Sequence, residues 1–419
     1  MTQRADRDLL HRFWTGFFES TEMLTRPFVF KRADLPIEVF TVEDGLEITR
    51  RIIAIKDVSV NGDGKLLDNP QVPQPPTSIH EYESFLERLA AANQSSAITF
   101  TRDGFQRYYP EVMRIARHFL HGFFNRTGLP ARGTSGVFIG GKYRSTWIGL
   151  HNDFCLTFLF PLVGTKRMLL WEPDYFEKMA MGRQKGMNGI VLGHVDITPF
   201  ESAARLFHVD AGDLFFIPAR WWHYNKLAES STTMTISLGV FPNSNARLFS
   251  ETLIKNSVLT AAENLQISYL PRIDPAEVTT LNDVALPAEL ETLINNIRSA
   301  LRLNYLQRVT SASFVVDPRA HVNQPEILAS TKLSGLPECP VFLLDPEAST
   351  KTMVANGQVA RVSGGSWLEK FIVSVNSATQ FSLNDLEGTQ DTGREAIEVA
   401  RWLAKVGAIE LESQPCSGS

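Results

Sequence analysis

Three short stretches of the chain carry the same pair of metal-binding residue types: His151-Asn152-Asp153, His194-Val195-Asp196 and His208-Val209-Asp210. On a β-strand, residues i and i+2 project from one face, so each stretch could offer an imidazole nitrogen and a carboxylate oxygen to one ion. Adding an imidazole from another strand gives two histidines and one carboxylate on one face of an octahedron. The remaining positions stay open, an arrangement suited to ferrous chemistry with O2. A lone His-x-Asp arises readily by chance, so the flanking residues decide. His151 leads into the apolar run 154–160, which reads as a buried strand, and then into a turn at Gly164. Downstream, Gly212-Asp213 reads as a turn and Leu214–Ile217 as a strand. Pro218 then breaks that strand and brings Trp222 and His223 round. His194 is followed by Ile197-Thr198-Pro199-Phe200-Glu201, a loop or helix start that offers no rigid platform. His208 runs directly into the Gly212 turn and reads as a surface residue. The expected ligand set is therefore His151, Asp153 and His223.

Positioning these groups falls to a β-rich stretch between Gly136 and Phe241, with strands expected at Gly136–Ile139, Phe154–Leu162, Arg167–Trp171, Leu214–Ile217 and Thr232–Val240. Strands at this density point to an antiparallel sandwich or barrel. Upstream, Leu10, Phe13, Trp14, Phe17 and Phe18 recur at helical spacing, which predicts an amphipathic helix packed on its own domain. Ser78 with Glu81 reads as a capping box opening a helix whose apolar face carries Ile79, Tyr82, Phe85, Leu86 and Leu89; another helix is expected over Glu111–Phe124. Beyond Asn243 the pattern turns helical, first around Leu248, Leu253, Ile254, Val258 and Leu259, then around Leu290, Leu293, Ile294, Ile297 and Leu301. The last hundred residues read as a small mixed unit. Asn356-Gly357 between two short apolar runs predicts a type I′ hairpin, Ser382 with Asp385 a cap, and Ala396 to Val406 a final helix. Hairpin and helices in this order resemble a winged helix, and Pro415 to Ser419 read as a loose tail. The expected segments are 1–135 (buttressing helices and strands), 136–245 (β core), 246–335 (helical region) and 336–419 (winged-helix-like unit).

Composition bounds the partners. With 41 Lys and Arg against 46 Asp and Glu, the net charge is −5, which supplies no overall basic field for nucleic acid. Cys155, Cys339 and Cys416 are few, far apart and odd in number. They argue against a disulfide framework or structural zinc and for a reducing compartment, so a cytoplasmic location is expected. No apolar run reaches the roughly 18 residues that span a bilayer, and no signal-peptide pattern opens the chain.

Residues 136–241 resemble the JmjC (cupin-like) family of Fe(II)- and 2-oxoglutarate-dependent oxygenases. The resemblance is carried by His151-Asn152-Asp153, Gly164-Thr165-Lys166-Arg167, Gly212-Asp213, Ile217-Pro218 and Trp221-Trp222-His223, and extends more loosely upstream to about residue 10. It implies a mainly β fold, a double-stranded β-helix of the cupin or jelly-roll kind with flanking helices. It also implies iron held by His151, Asp153 and His223. Lys166 matches the lysine whose ammonium pairs with the distal carboxylate of 2-oxoglutarate, as a partly buried anion requires. Arg167, its neighbour, would point the other way. Thr157 stands where relatives carry an asparagine or another hydrogen-bonding group for the cosubstrate. The chain departs from the pattern at Ile148, where Thr or Ser is common, and at Ser237-Leu238-Gly239, which lacks an asparagine sometimes found there. Trp221 and Trp222 are expected to pack. The implied reaction uses Fe(II), 2-oxoglutarate and O2, releases succinate and hydroxylates an unactivated C–H.

A JmjC core followed by helices and a winged-helix-like unit looks like ribosomal protein hydroxylases, in which the helices make a dimer. A protein or peptide side chain is thus the leading expected substrate, and a homodimer the expected assembly. The alternatives are a small molecule, as in natural-product tailoring, and a cupin-fold binding protein without turnover.

Overall fold

The computed structural model describes residues 3–411 apart from 108, 131, 145–147, 177–183, 186–188, 194, 227–230, 243–253, 263–287, 315–325, 345–348 and 387–392. His194, Leu248, Leu253 and Cys416 therefore lie outside the described residues. The chain divides into two compact units, one of 1–242 with 314–323 and one of 243–313 with 324–419.

The first unit contains helices α1 (Gln3–Ser20), α2 (Val42–Ala54), α3 (Ile79–Ala92) and α4 (Pro110–Thr127), and two antiparallel sheets. The strands are β1 (Phe28–Phe30), β2 (Ser59–Gly62), β3 (Lys65–Leu66), β4 (Ile98–Asp103), β5 (Thr134–Tyr143), β6 (Leu150–Asp153), β7 (Leu156–Val163), β8 (Lys166–Trp171), β9 (Gln184–Lys185), β10 (Gly189–Gly193), β11 (Arg205–Val209), β12 (Leu214–Ile217), β13 (Trp222–Asn225) and β14 (Ser231–Val240). The larger sheet runs β1-β12-β7-β14-β5-β4-β2-β3 and the smaller β11-β8-β13-β6-β10-β9. From β5 to β14 the chain passes back and forth between the sheets, which is the expected double-stranded β-helix.

Side-chain alternation sorts each strand into a core face and an inner face. On the larger sheet the outer face meets the helices. Phe17 of α1 stacks on Phe158 at 5.7 Å and meets Phe216 edge-on at 5.0 Å, while the Trp14 indole donates to the Phe119 carbonyl of α4 at 2.9 Å. The amphipathic opening helix thus packs on its own unit, as its spacing predicts. The inner faces of the two sheets meet in one apolar cluster: Leu159, Phe215 and Ile217 from the larger, Met168, Leu170 and Val209 from the smaller. Gly164 makes the β7–β8 turn at φ +77°, and a side chain there would meet the Thr232 carbonyl oxygen at 2.5 Å, so only glycine fits. One local expectation shifts: Ser78 precedes α3 without a side-chain cap, because Glu81 instead accepts from the Thr77 amide and hydroxyl at 2.8 and 2.9 Å.

In the second unit, helices Lys255–Ala262 and Ala288–Thr310 precede strands Leu333–Gly335, Phe342–Leu344, Thr350–Ala355 and Gln358–Ser363; helices Ser366–Asn376 and Gly393–Lys405 and strand Ile409–Leu411 follow. The hairpin turns at Asn356 and Gly357 with φ of +48° and +74°, the left-handed pair a type I′ turn needs. The Thr310 hydroxyl accepts from the Gly357 amide at 2.9 Å and Gln307 donates to its carbonyl at 2.9 Å, tying the long helix to the turn. Trp367, Leu368, Phe371, Val399, Ala400 and Leu403 fill the core beneath the hairpin.

Candidate metal centre

Two of the expected ligands face each other across a strand pair. β13 pairs with β6 so that His223 lies opposite His151 and Trp222 opposite Asn152. Directly opposed residues on one face bring their side chains together, and here the two imidazole centroids are 4.1 Å apart at 61°. Asp153, two residues on from His151, shares its face, and its Oδ2 is 3.7 Å from His223 Nε2. One ligand atom from each of the three residues falls within 4.8 Å of the others. Two ligand atoms on a shared ion at about 2.1 Å each span no more than about 4.2 Å, so the His223–Asp153 pair is already within reach of one ion.

Backbone contacts orient each group. His151 Nδ1 is 2.9 Å from the Gly149 carbonyl and His223 Nδ1 is 3.0 Å from the Trp221 carbonyl. A carbonyl oxygen only accepts, so both rings carry their proton on Nδ1, and both Nε2 atoms are the available ligand atoms. His223 is buried, and burial pushes its pKa down to about 4; the neighbouring His151 charge lowers it further, against Asp153. Near neutral pH this imidazole therefore keeps a free lone pair on Nε2. The strands themselves are stitched at the site. The Arg220 amide donates to the Asp153 carbonyl at 2.6 Å, and Asn152 Oδ1 accepts from the Ile190 amide at 3.1 Å. Cys155 lies beside the site, but burial, reinforced by the Asp153 charge, raises its pKa strongly and keeps it a thiol.

Lys166 stands at the start of β8. His223 pairs with Leu170 and Asn225 with Met168, so Lys166, Met168 and Leu170 form the inner face of β8 beside the two histidines. Lys166 is 2% exposed, and its ammonium donates to the Tyr143 hydroxyl at 2.9 Å. Among the described residues no carboxylate lies within ion-pair distance of it. Thr157 is buried on the inner face of β7, its hydroxyl 3.5 Å from Cys155 Sγ. Arg167 points to the opposite face of β8.

Among the described residues of the other two His-x-Asp stretches, His208, Asp210 and Asp196 do not join this cluster; His194 lies outside the described residues. His208 is exposed on β11, and Asp210 is held at the surface by Lys31 at 3.2 Å and Thr165 at 3.2 Å. Asp196 is exposed and its Oδ1 caps the Thr198 amide. Trp221 and Trp222 pack, their indoles donating to the Thr25 and Pro173 carbonyls, both at 3.1 Å.

Sequence reasoning missed four inner-face groups. Tyr143 holds the lysine. Asn225, Thr233 and Thr235 are buried, and among the described residues both amide atoms of Asn225 and both threonine hydroxyls have no hydrogen-bond partner. Asn225 was within reach of a sequence argument: it is His223 plus two, on the same strand and so on the same face.

Comparison with known proteins places this geometry. No curated protein sequence matches the chain. An X-ray structure of Escherichia coli YcfD is similar to it at 16% identity, covering 95% of this chain and 98% of that one, with a TM-score of 0.51. A structure of E. coli YcfD, described as a ribosomal oxygenase in complex with cobalt and 2-oxoglutarate, is 16% identical over 96% of this chain and 98% of that one, with a TM-score of 0.48. The first likeness shows a shared fold along nearly the whole chain. The model of the cupin-like domain family matches residues 24–241, more than half of the sequence, and in keeping with the JmjC-type motifs it carries, the chain belongs to that family.

Proposed function

We propose that the protein is an Fe(II)- and 2-oxoglutarate-dependent oxygenase that hydroxylates an unactivated C–H on a protein or peptide side chain. The observation that carries this reading is the pairing of two features on one inner face: a cluster of two imidazoles and one carboxylate, and a buried ammonium without a carboxylate partner among the described residues. A buried charge needs compensation, and an anionic guest reaching from the metal to Lys166 would supply it. The donor set fits iron: nitrogen from His151 and His223, oxygen from Asp153, and no thiolate.

When bound, iron supplies the redox chemistry that couples the reaction of R–H, 2-oxoglutarate and O2 to R–OH, succinate and CO2. The chain supplies placement. His151 and His223 present Nε2, and Asp153 presents its carboxylate. Lys166 anchors the distal carboxylate of the cosubstrate with Tyr143 beside it, and Thr157 offers a hydroxyl near the metal. Leu159, Met168, Leu170, Phe215 and Ile217 keep the space between the sheets dry, which strengthens every electrostatic contact inside it.

The protein-substrate reading is supported by the order of parts: a cupin unit followed by helices and an α+β unit, with the YcfD fold covering 95% of the chain. We also propose that the helical segment mediates a homodimer and that the protein works in the cytoplasm; among the described residues no helix is long and apolar enough to cross a membrane. The test is succinate release from 2-oxoglutarate by the Fe(II)-loaded protein, together with mass spectrometry of ribosomal proteins and peptides for a gain of one oxygen. A folded, iron-loaded sample that releases no succinate with any candidate substrate overturns the proposal. Succinate release coupled only to small molecules overturns the protein-substrate part.

A further inference from the structure

We infer that Asn225 and Thr233 complete the seat of the cosubstrate's distal carboxylate around Lys166, as positioning and specificity residues particular to this chain. This rests on the oxygenase reading above. Asn225 is 3% exposed and Thr233 fully buried, and among the described residues Asn225 Nδ2, Asn225 Oδ1 and Thr233 Oγ1 all lack a hydrogen-bond partner. Buried polar groups left unpaired lose their hydration without return, so such groups in one interior point to a polar guest.

Strand register places them. On β13, Trp222 packs outward with Leu150, Leu169 and Trp171, and Tyr224 packs against that cluster, so His223 and Asn225 alternate inward. Asn225 pairs with Met168, which makes Lys166 its diagonal neighbour on the same face, about 7–8 Å away between Cα atoms. On the larger sheet, Met234 lies against Gly45 of α2, so Thr233 points inward. Tyr143 pairs with Ser231, which makes Thr233 its diagonal neighbour in turn. Asn225 thus flanks Lys166 from the smaller sheet, and Thr233 flanks Tyr143 from the larger.

The chemistry of the four groups selects the guest. The Tyr143 oxygen accepts from Lys166 at 2.9 Å, so its own proton is left to donate elsewhere. Lys166, Tyr143, the Asn225 amide and the Thr233 hydroxyl then offer four donors and one positive charge. A carboxylate is acceptor-only, anionic, and has about four lone-pair sites.

The experiment is anaerobic calorimetry on the full-length, Fe(II)-loaded protein, titrated with 2-oxoglutarate and with pyruvate, a 2-oxo acid lacking the distal carboxylate. Asn225→Leu should weaken 2-oxoglutarate binding about tenfold or more, roughly 1.4 kcal/mol, with iron and pyruvate affinities unchanged. Thr233→Val, which keeps the shape, should act in the same sense and guards against a misfolded Asn225 variant. Equal loss of both acids, or 2-oxoglutarate binding as in the wild type for both variants, overturns the assignment. Wild-type protein that holds iron but does not bind 2-oxoglutarate instead overturns the oxygenase reading itself.

Discussion

Replacing Lys166 by methionine separates a structural ammonium from a ligand-binding one, because the two roles predict opposite signs. Lys166 is 2% exposed, and its described contact is a phenol hydroxyl at 2.9 Å. Methionine fills the same channel with an apolar stem. Exchanging a buried charge for a packed apolar side chain is neutral or stabilising by about 1–4 kcal/mol. Breaking a buried ion pair by deleting one partner costs about 3–5 kcal/mol, which at about 1.4 kcal/mol per tenfold is two to three and a half orders of magnitude in affinity. Lys166→Met should therefore leave the metal-free protein as stable as the wild type or more so in urea denaturation. It should weaken 2-oxoglutarate at least a hundredfold in anaerobic titration, and iron affinity should change far less. A variant that loses several kcal/mol of stability while still binding 2-oxoglutarate would refute the reasoning and return the lysine to the fold.

Three further outcomes follow from the geometry. His151→Ala or Asp153→Ala should abolish iron binding and succinate release with little loss of helix and sheet signal, whereas His208→Ala, at an exposed position, should be mild; equal damage at His208 would contradict the assignment of His151 and Asp153 as ligands. The metal-free protein should lose stability as pH falls from about 6.5 to about 4, because unfolded chains protonate His223 in that window while the buried imidazole resists until about 4. The loss is up to about 3 kcal/mol, and His223→Gln should flatten that part of the profile; an unchanged slope would mean another group dominates. Gly164→Ala should destabilise by about 1–3 kcal/mol, since φ of +77° and the Thr232 carbonyl at 2.5 Å both oppose a side chain; an unchanged melting temperature would contradict the close approach.

Much of this protein is local chemistry and could be read directly from residue order. Strand alternation puts His151 and Asp153 on one face whatever the rest of the chain does, and Pro218 with the Gly212 turn marks where His223 must swing round. The Asn356-Gly357 hairpin and the aromatic spacing of α1 are equally local, set by backbone conformation and helical period. His208 faces solvent for a local reason too: alternation along its strand gives the inner face to the apolar Val209 and turns His208 outward.

What tertiary structure decided is everything that depends on register between strands and on which face becomes the interior. His151 and His223 are 72 residues apart, and only the β6–β13 pairing sets them opposite each other. Tyr143 reaches Lys166 across two sheets, a contact no spacing in the sequence encodes. Asn225 and Thr233 look like ordinary strand residues until burial strips them of water and leaves their polar atoms unpaired. Glu81 caps Thr77 and not Ser78, a choice between adjacent backbone amides that residue types alone do not make. Hydrogen-bond satisfaction is a property of the closed interior, and chain order alone carries no record of it.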